Sequence, residues 1–151
     1  MATFKRFEEI ISWQEARELN RNIGNLIDNK RFENNFRLIN QIEGSAGSIM
    51  DNIAEGFERG GNKEFTQFLY IAKGSCGELR SQLYRAIDRN YITQKEHDEL
   101  SIHAMKISNL IQKLIIYLAN SAIKGIKYKD RNTQTPLTPE TSETPETSET
   151  P

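Results

Sequence analysis

One stretch, Ser48-Ile-Met-Asp-Asn-Ile-Ala-Glu-Gly-Phe-Glu-Arg-Gly60, decides the fold of this chain. Its Ile49 and Ile53 continue an apolar stripe that starts at Leu38, with the three-and-four spacing of one buried helix face. Gly60-Gly61 allows left-handed backbone angles, which predicts that the helix ends there. The stretch also carries an acidic stripe at four-and-three spacing, formed by Asp51, Glu55 and Glu58.

The same periodicity extends outward and predicts three more helices. The four predicted helices span 7–29, 34–57, 62–89 and 93–123. Asn62 is predicted to cap the start of the third helix, and a Thr93–Glu96 capping box is predicted to start the fourth. Gly125 is predicted to end the fourth helix. Four long helices with short connections predict an all-α fold, an antiparallel up-down-up-down four-helix bundle. The predicted buried stripe of the first helix comprises Phe7, Ile10, Ile11, Ala16, Leu19, Ile23, Leu26 and Ile27. The third and fourth helices each carry an unbroken heptad seam of apolar residues. The seam of the third helix is Phe65, Leu69, Ala72, Cys76, Leu79, Leu83 and Ala86. The seam of the fourth helix is Leu100, Ala104, Ile107, Ile111, Leu114 and Leu118.

Small residues cluster in the middle of two predicted helices, at 44–48 (Gly-Ser-Ala-Gly-Ser) and at 74–77 (Gly-Ser-Cys-Gly). A glycine inside a helix costs about 1 kcal/mol relative to alanine, so a gain is expected to offset it. Close approach of two helix backbones is the simplest gain, and it predicts that the second and third helices cross at these points. The alternative is that the run 44–48 breaks the second helix.

The composition divides the chain into a bundle over residues 1–130 and a tail over residues 131–151. All four prolines lie in the tail, where Thr-Pro-Glu-Thr-Ser-Glu recurs, and this composition predicts disorder. The tail is expected to be either an inert acidic segment or a competitor with nucleic acid for the body, which is mildly basic. The single Cys76, the lack of an 18-residue apolar run and the lack of a signal-like N-terminus predict a cytoplasmic protein outside the membrane.

The sequence carries no pattern typical of catalysis, of a metal site or of cofactor binding. The residues three positions before His97 and His103 are Gln94 and Leu100, so the Glu-x-x-His pairs of di-iron bundles are absent. Cys76 lies on the apolar seam and is interpreted as a small buried hydrophobe. We therefore expect a protein that is not an enzyme and that has no cofactor, no catalytic residues and no metal ligands.

Basic residues recur at helical spacing on the third and fourth helices. Three interpretations remain open: a solvated charged surface, pairing of basic and acidic faces between subunits, and contact with a nucleic-acid backbone. The candidate nucleic-acid-binding residues are Lys73, Arg80, Arg85 and Arg89 on the third helix and Lys106, Lys113 and Lys124 on the fourth.

The motif Ser48-Ile-Met-Asp-Asn-Ile-Ala-Glu-Gly56 resembles the Ser-Ile-Pro-x-Asn-Ile-Ala-Glu-Gly signature of the bacterial four helix bundle protein family, first noted as proteins encoded by intervening sequences within 23S ribosomal RNA genes. Shorter pieces agree in order, including Trp13-Gln14-x-Ala16 and Gly74-Ser75-x-x-Glu78-Leu79. The motif positions that the resemblance marks as interface candidates are Trp13, Gln14, Asn52, Glu55, Gly56, Gly74, Ser75 and Glu78.

The resemblance implies a bundle that assembles into a homopentameric ring. The family is similar to the accessory variability determinant protein of diversity-generating retroelements, a basic pentameric barrel that binds nucleic acid and its reverse transcriptase. The chain departs from the family at Met50, where relatives have proline, and at Glu43-Gly44, where relatives usually have two basic residues. The first expectation is therefore a non-enzymatic homopentamer; the alternative is a nucleic-acid-binding accessory protein that partners a reverse transcriptase or ribosomal RNA. Asn52 and Glu55 are expected to cap a neighbouring helix or to join subunits.

Overall fold

The structure, a computed structural model, describes the backbone of residues 4–132 and the side chains of residues 4–121. A short 3-10 turn, Phe7–Glu9, precedes four helices: α1 (Ile11–Asp28), α2 (Phe36–Glu58), α3 (Asn62–Asp88) and α4 (Gln94–Asn132). The predicted tail over residues 131–151 lies outside the described residues, apart from residues 131 and 132, which belong to the end of α4.

The four helices form the predicted bundle. Each helix packs against its neighbours in the chain, and α1 also packs against α4, so that the order around the bundle follows the order in the sequence. This arrangement places α2 and α4 diagonally across the core, with their outer faces on opposite sides of the molecule.

The core confirms most of the predicted stripes. The two heptad seams of α3 and α4 are buried, as is the α2 stripe from Leu38 to Ile53. Ile11 was predicted to be buried, and this prediction is wrong, since the residue is 58% exposed. The reason lies in the backbone at Ile10, which is extended (φ −76°, ψ 121°) and ends the 3-10 turn before α1 begins. The break at Ile10 turns that side chain into the core and rotates Ile11 outward, so the first helix is not continuous from residue 7.

The helix ends follow local hydrogen bonding. The predicted box at the start of α4 is present, with the Thr93 amide donating to Glu96 Oε1 (2.9 Å) and the Glu96 amide donating to Thr93 Oγ1 (3.1 Å). The predicted cap at Asn62 is wrong, because that residue is already helical and Gly61 precedes it without a side-chain cap. The predicted end at Gly125 is also wrong, since α4 continues to Asn132; one glycine costs only about 1 kcal/mol and no proline interrupts that segment.

Candidate functional site

The family-motif residues of α2 and α3 meet along the seam between these helices. Ser75 Oγ on α3 lies 2.9 Å from Ser48 Oγ on α2, which in turn accepts a hydrogen bond from Asn52 Nδ2 at 2.8 Å. The same Asn52 nitrogen donates to the Ser48 carbonyl oxygen at 2.7 Å. The small hydroxyl side chains therefore let the two helices lie close together and satisfy each other's polar groups at the contact.

A tight contact between α2 and α3 lies at Gly56, one turn beyond this network. A Cβ at Gly56 would lie 2.6 Å from Phe68 Cβ and 3.1 Å from Phe65 Cδ1, so only glycine fits there. The predicted crossing of α2 and α3 at the two small runs is confirmed by the Ser48–Ser75 contact, whereas the tight packing at Gly56 was not predicted. The run 44–48 does not break α2, and that alternative is excluded.

The mid-helix glycines face outward. A Cβ at Gly44, Gly74 or Gly77 would meet nothing within 4 Å, and one at Gly47 would meet only Asp51 Oδ2 at 4.0 Å. The prediction that these glycines allow the crossing of α2 and α3 is therefore wrong, because Ser45, Ala46, Ser75 and Cys76 form the buried side of each small run. Nothing within the described protomer offsets the cost of the glycines.

Asn52 and Glu55 do not cap a neighbouring helix. Asn52 bonds within α2, and Glu55 Oε1 pairs with Arg59 Nη2 on the same helix at 2.8 Å. Glu55 is exposed together with Asp51 and Glu58, so the acidic stripe lies on the outer surface of α2 beside the open glycines. Whether Asn52 or Glu55 joins subunits stays a prediction. We define the acidic face as Gly44, Gly47, Asp51, Glu55 and Glu58.

The outer surface of α4 carries an apolar stripe that the sequence reasoning missed. Ile102 is 70% exposed, Met105 is 42% exposed and Ile116 is 52% exposed. With Asn109 they step by three, four and seven residues, which is a second heptad pattern behind the buried one. This outward spacing can be read in the sequence, but the apolar residues of the buried seam on the same helix form a longer and more regular pattern.

Three of the predicted basic residues flank this stripe. Arg80 from α3 and Lys106 and Lys113 from α4 line one surface groove with Ile102 and Met105. We define the basic face as Arg80, Ile102, Met105, Lys106, Asn109, Lys113 and Ile116. Lys73 lies two turns before Arg80 on α3, and the side chain of Lys124 lies outside the described residues.

Among the candidates with described side chains, Lys106 is the one held by a carboxylate of the same protomer. Its Nζ lies 2.9 Å from Glu15 Oε1, and His103 Nε2 lies 2.6 Å from Glu15 Oε2. The hydrogen bond from Lys106 makes the largest contribution to lowering the pKa of Glu15, and the hydrogen bond from His103 lowers it further. The cluster fastens α4 to α1. In the part of the chain with described side chains, no group of three His, Cys, Asp or Glu residues could hold a metal ion.

The remaining basic candidates lie at one end of the bundle. Arg85 and Arg89 at the end of α3 line a polar surface pocket together with Arg37 at the start of α2. Arg37 is not among the predicted candidates, because nothing in the α2 pattern indicates which residues of α3 lie beside it. Arg85 Nη1 donates to Gln41 Oε1 at 2.7 Å, which orients its guanidinium across the α2–α3 seam.

Trp13 and Gln14 lie apart from the α2–α3 seam. Trp13 is partly buried against the core, meets Phe7 edge to face at a centroid distance of 5.1 Å, and has Arg17 5.9 Å above its ring. Gln14 Nε2 donates to the Glu8 carbonyl oxygen at 2.8 Å, which ties the 3-10 turn to α1. Both residues therefore fix the start of α1 in this protomer.

Cys76 confirms its interpretation as a core residue. The side chain is fully buried, and burial raises the pKa of the thiol to about 12. A thiol with such a pKa carries almost no thiolate at neutral pH and is a poor nucleophile.

Comparison with known proteins identifies a family and gives structural likenesses. The family model described as 23S rRNA-intervening sequence protein matches residues 8–113. A crystal structure at 1.70 Å of a protein with unknown function from the S23 ribosomal protein family of Bacteroides thetaiotaomicron VPI-5482 is similar, with a TM-score of 0.65 and 25% identity over 70% of this chain and 98% of that one. No curated protein matches the chain. Among the described helices, none combines the length and apolar character that a bilayer crossing requires.

Proposed function

The chain belongs to the 23S rRNA-intervening sequence protein family, and from that premise we propose that it is a non-enzymatic bundle that assembles with copies of itself into a homopentameric ring. The number of subunits follows from the family resemblance. The surfaces through which they join follow from the contacts and charges of the two faces defined above. The high pKa and burial of Cys76 support the non-enzymatic part of the proposal, since the chain's only thiol is unsuited to nucleophilic attack.

The observation that carries the proposal is the outward heptad stripe on α4. Large apolar side chains that line up on one exposed face mark an interaction surface more strongly than the same residues scattered singly. Ile102, Met105 and Ile116 fall on one line because their separations of three and eleven residues are close to whole turns of a helix. Such a stripe is the pattern of a helix that packs against another helix.

The acidic face of α2 is the matching surface. Its open glycines at 44 and 47 leave shallow places in which the apolar side chains of α4 can lie, and its carboxylates oppose the lysines and arginine of the basic face. Subunit contact of this kind also supplies the gain that the outward glycines lack within the protomer.

The diagonal positions of α2 and α4 favour a closed ring. Each protomer presents the two complementary faces on opposite sides, so every copy can bind one neighbour through α2 and another through α4. A head-to-tail contact of this kind generates a ring when its rotation closes.

Light scattering coupled to gel filtration tests the proposal. Ile102→Asp places a charge in the stripe and is expected to shift the mass from the oligomer towards the monomer. Ile11→Asp is the matched control, because Ile11 is similarly exposed but lies on α1 outside both faces. A wild-type chain that is monomeric at all concentrations would refute self-assembly. An Ile102→Asp variant that assembles like wild type would show that the α4 stripe is not the contact.

Nucleic-acid binding is the second candidate function, and one observation favours it. Among the side chains that the structure describes, five of the six predicted cations make no ion pair. Unpaired cations are free to displace counterions from a phosphate backbone, which makes binding fall steeply with salt. Filter binding at low salt with RNA and DNA tests this function, and the absence of any retained complex would remove it. The five residues are Lys73, Arg80, Arg85, Arg89 and Lys113.

A further inference from the structure

We propose that Arg37, Arg85 and Arg89 form a binding site for a phosphate group at the end of the bundle where α1 joins α2 and α3 joins α4. The three side chains come from two helices and line one pocket with Asn35 and Tyr91. The site goes beyond self-assembly, because it lies apart from the acidic and basic faces and uses other residues.

The three guanidinium groups are available to a ligand. Among described residues, none of them lies within salt-bridge distance of a carboxylate, although Glu33 and Asp88 also line the pocket. Arg85 is already oriented by Gln41 Oε1, so less side-chain freedom is lost when it binds.

The ends of the pocket are held by contacts between the two connections. Asn35 Oδ1 accepts from the Leu38 amide at 3.2 Å, and Asn35 Nδ2 lies 3.4 Å from the Tyr91 hydroxyl. The Tyr91 ring meets the buried Phe32 edge to face at a centroid distance of 5.9 Å. The two contacts of Tyr91 join the α1–α2 connection to the α3–α4 connection, and the Asn35–Leu38 bond caps the start of α2, so the arginines project from a fixed frame.

Left-handed backbone angles occur in both connections at the same end. The non-glycine residues with left-handed backbone angles in the described chain are Lys30 (φ 55°), Glu33 (φ 52°) and Asn90 (φ 60°), and all three belong to these two connections. At Lys30 and Asn90 these angles belong to the C-terminal caps of α1 and α3, where the next amides, of Arg31 and Tyr91, donate to Leu26 O at 3.1 Å and Ala86 O at 3.0 Å. Here Glu33 lines the pocket, and Asn90 lies between Arg89 and Tyr91, which also line it.

The donor set selects the chemical class of the ligand. Three planar forks present more donors than the two oxygens of one carboxylate can accept, whereas a phosphate group offers oxygens on several sides. Glu33 and Asp88 reduce the net formal charge of the lining, so binding depends on the paired hydrogen bonds of the forks more than on bulk charge. The phosphate can come from two sources, an RNA backbone or a free phosphate or mononucleotide.

The experiment has two arms on the full chain. In the first, thermal unfolding is compared in inorganic phosphate and in chloride of equal ionic strength; bound phosphate raises the midpoint because it binds only the folded state. In the second, anisotropy of a short fluorescein-labelled single-stranded RNA is measured over a range of salt. Arg89→Gln and Arg37→Gln are expected to abolish the phosphate effect. If RNA is the source, each is expected to weaken RNA binding about tenfold and to lower the salt slope by about one.

Arg6→Gln is the matched control. Arg6 is an exposed arginine without an ion pair among the described residues, and Phe4, two residues before it, lines a pocket at the opposite end of the bundle with Phe57 and Gly60. Circular dichroism establishes that each variant keeps its helices. Arg89→Lys keeps the charge but loses the fork, and is expected to restore only part of the binding.

The outcomes separate the sources and the functions. Phosphate stabilisation lost in Arg89→Gln but kept in Arg6→Gln supports the site; a parallel loss of RNA affinity identifies RNA, and unchanged RNA affinity identifies free phosphate. RNA binding that survives Arg89→Gln but falls in Lys113→Gln would place nucleic acid on the basic face instead. The proposal would be overturned if phosphate did not stabilise the wild-type chain more than chloride does. It would also be overturned if phosphate stabilised Arg89→Gln and Arg37→Gln as much as it stabilises wild type.

Discussion

Gly56→Ala is the sharpest test of how α2 packs against α3. The added methyl would lie 2.6 Å from Phe68 Cβ, 3.1 Å from Phe65 Cδ1 and 3.3 Å from Phe68 Cγ. Phe68 Cβ is fixed to the backbone of α3, so a side-chain rotation cannot relieve the first contact. The helices must move apart, and the core above and below Gly56 must loosen with them.

The expected change in the unfolding free energy of Gly56→Ala is the sum of two opposing effects. Overpacking of this kind costs about 3 kcal/mol, at the upper end of the usual range because three atoms are met at once. Alanine returns about 1 kcal/mol through its higher helix propensity. The net loss of unfolding free energy is therefore about 2 kcal/mol, which lowers the melting temperature by about 4–8 °C in a chain of this size.

Gly44→Ala on the same helix is the matched control. It meets nothing within 4 Å in the protomer, so the propensity effect acts alone and is expected to raise the unfolding free energy by about 1 kcal/mol. Urea unfolding followed by circular dichroism gives both values. Assembly also adds stability, so the measurement is repeated across protein concentrations and compared at the dilute limit. A Gly56→Ala variant as stable as wild type would refute the close approach.

Two further predictions concern titrating groups. Glu96 has a pKa lowered from 4.5 to about 2, first by the hydrogen bond from Arg31, so its stabilisation is present above pH 4.5 and is lost as pH falls through about 2. Glu96→Gln keeps an acceptor for the Thr93 amide but loses the ion pair with Arg31. Urea unfolding is expected to show that the variant has an unfolding free energy about 1–2 kcal/mol below that of wild type at neutral pH, allowing for solvent screening. This difference is expected to vanish near pH 2. Cys76 is expected to react with Ellman's reagent no faster than the chain unfolds, since its thiol is buried with a pKa of about 12.

Each of these two predictions has an outcome that would contradict it. A deficit of Glu96→Gln that is equal at neutral and acid pH would show that the loss is not electrostatic. Glu99→Gln is its control, because Glu99 makes only a long and exposed contact of 3.9 Å to Lys95 on the same helix. Fast labelling of Cys76 in the absence of denaturant would contradict its burial, and labelling in urea provides the fully reactive reference.

The sequence by itself determined the number of helices and most of the core. The three-and-four spacing of apolar residues reports which side of each helix is buried, because that spacing is a property of a single helix. It located the two heptad seams, the Thr93–Glu96 box and the end of α2 at Gly60, whose φ of 83° is left-handed as predicted. It failed at Ile10, where one extended residue shifted the helical phase, and at Gly125, where a helix tolerated its glycine.

Only the tertiary structure decided which side chains lie beside each other across the helices. Small residues at 44–48 and 74–77 looked alike in sequence, yet their serines face the seam while their glycines face outward, and Gly56 supplies the close approach. The meeting of Arg37 with Arg85 and Arg89 likewise depends on how α2 is rotated and shifted along α3. A helix pattern specifies the buried side but not this rotation and shift, which the packing of all four helices sets together.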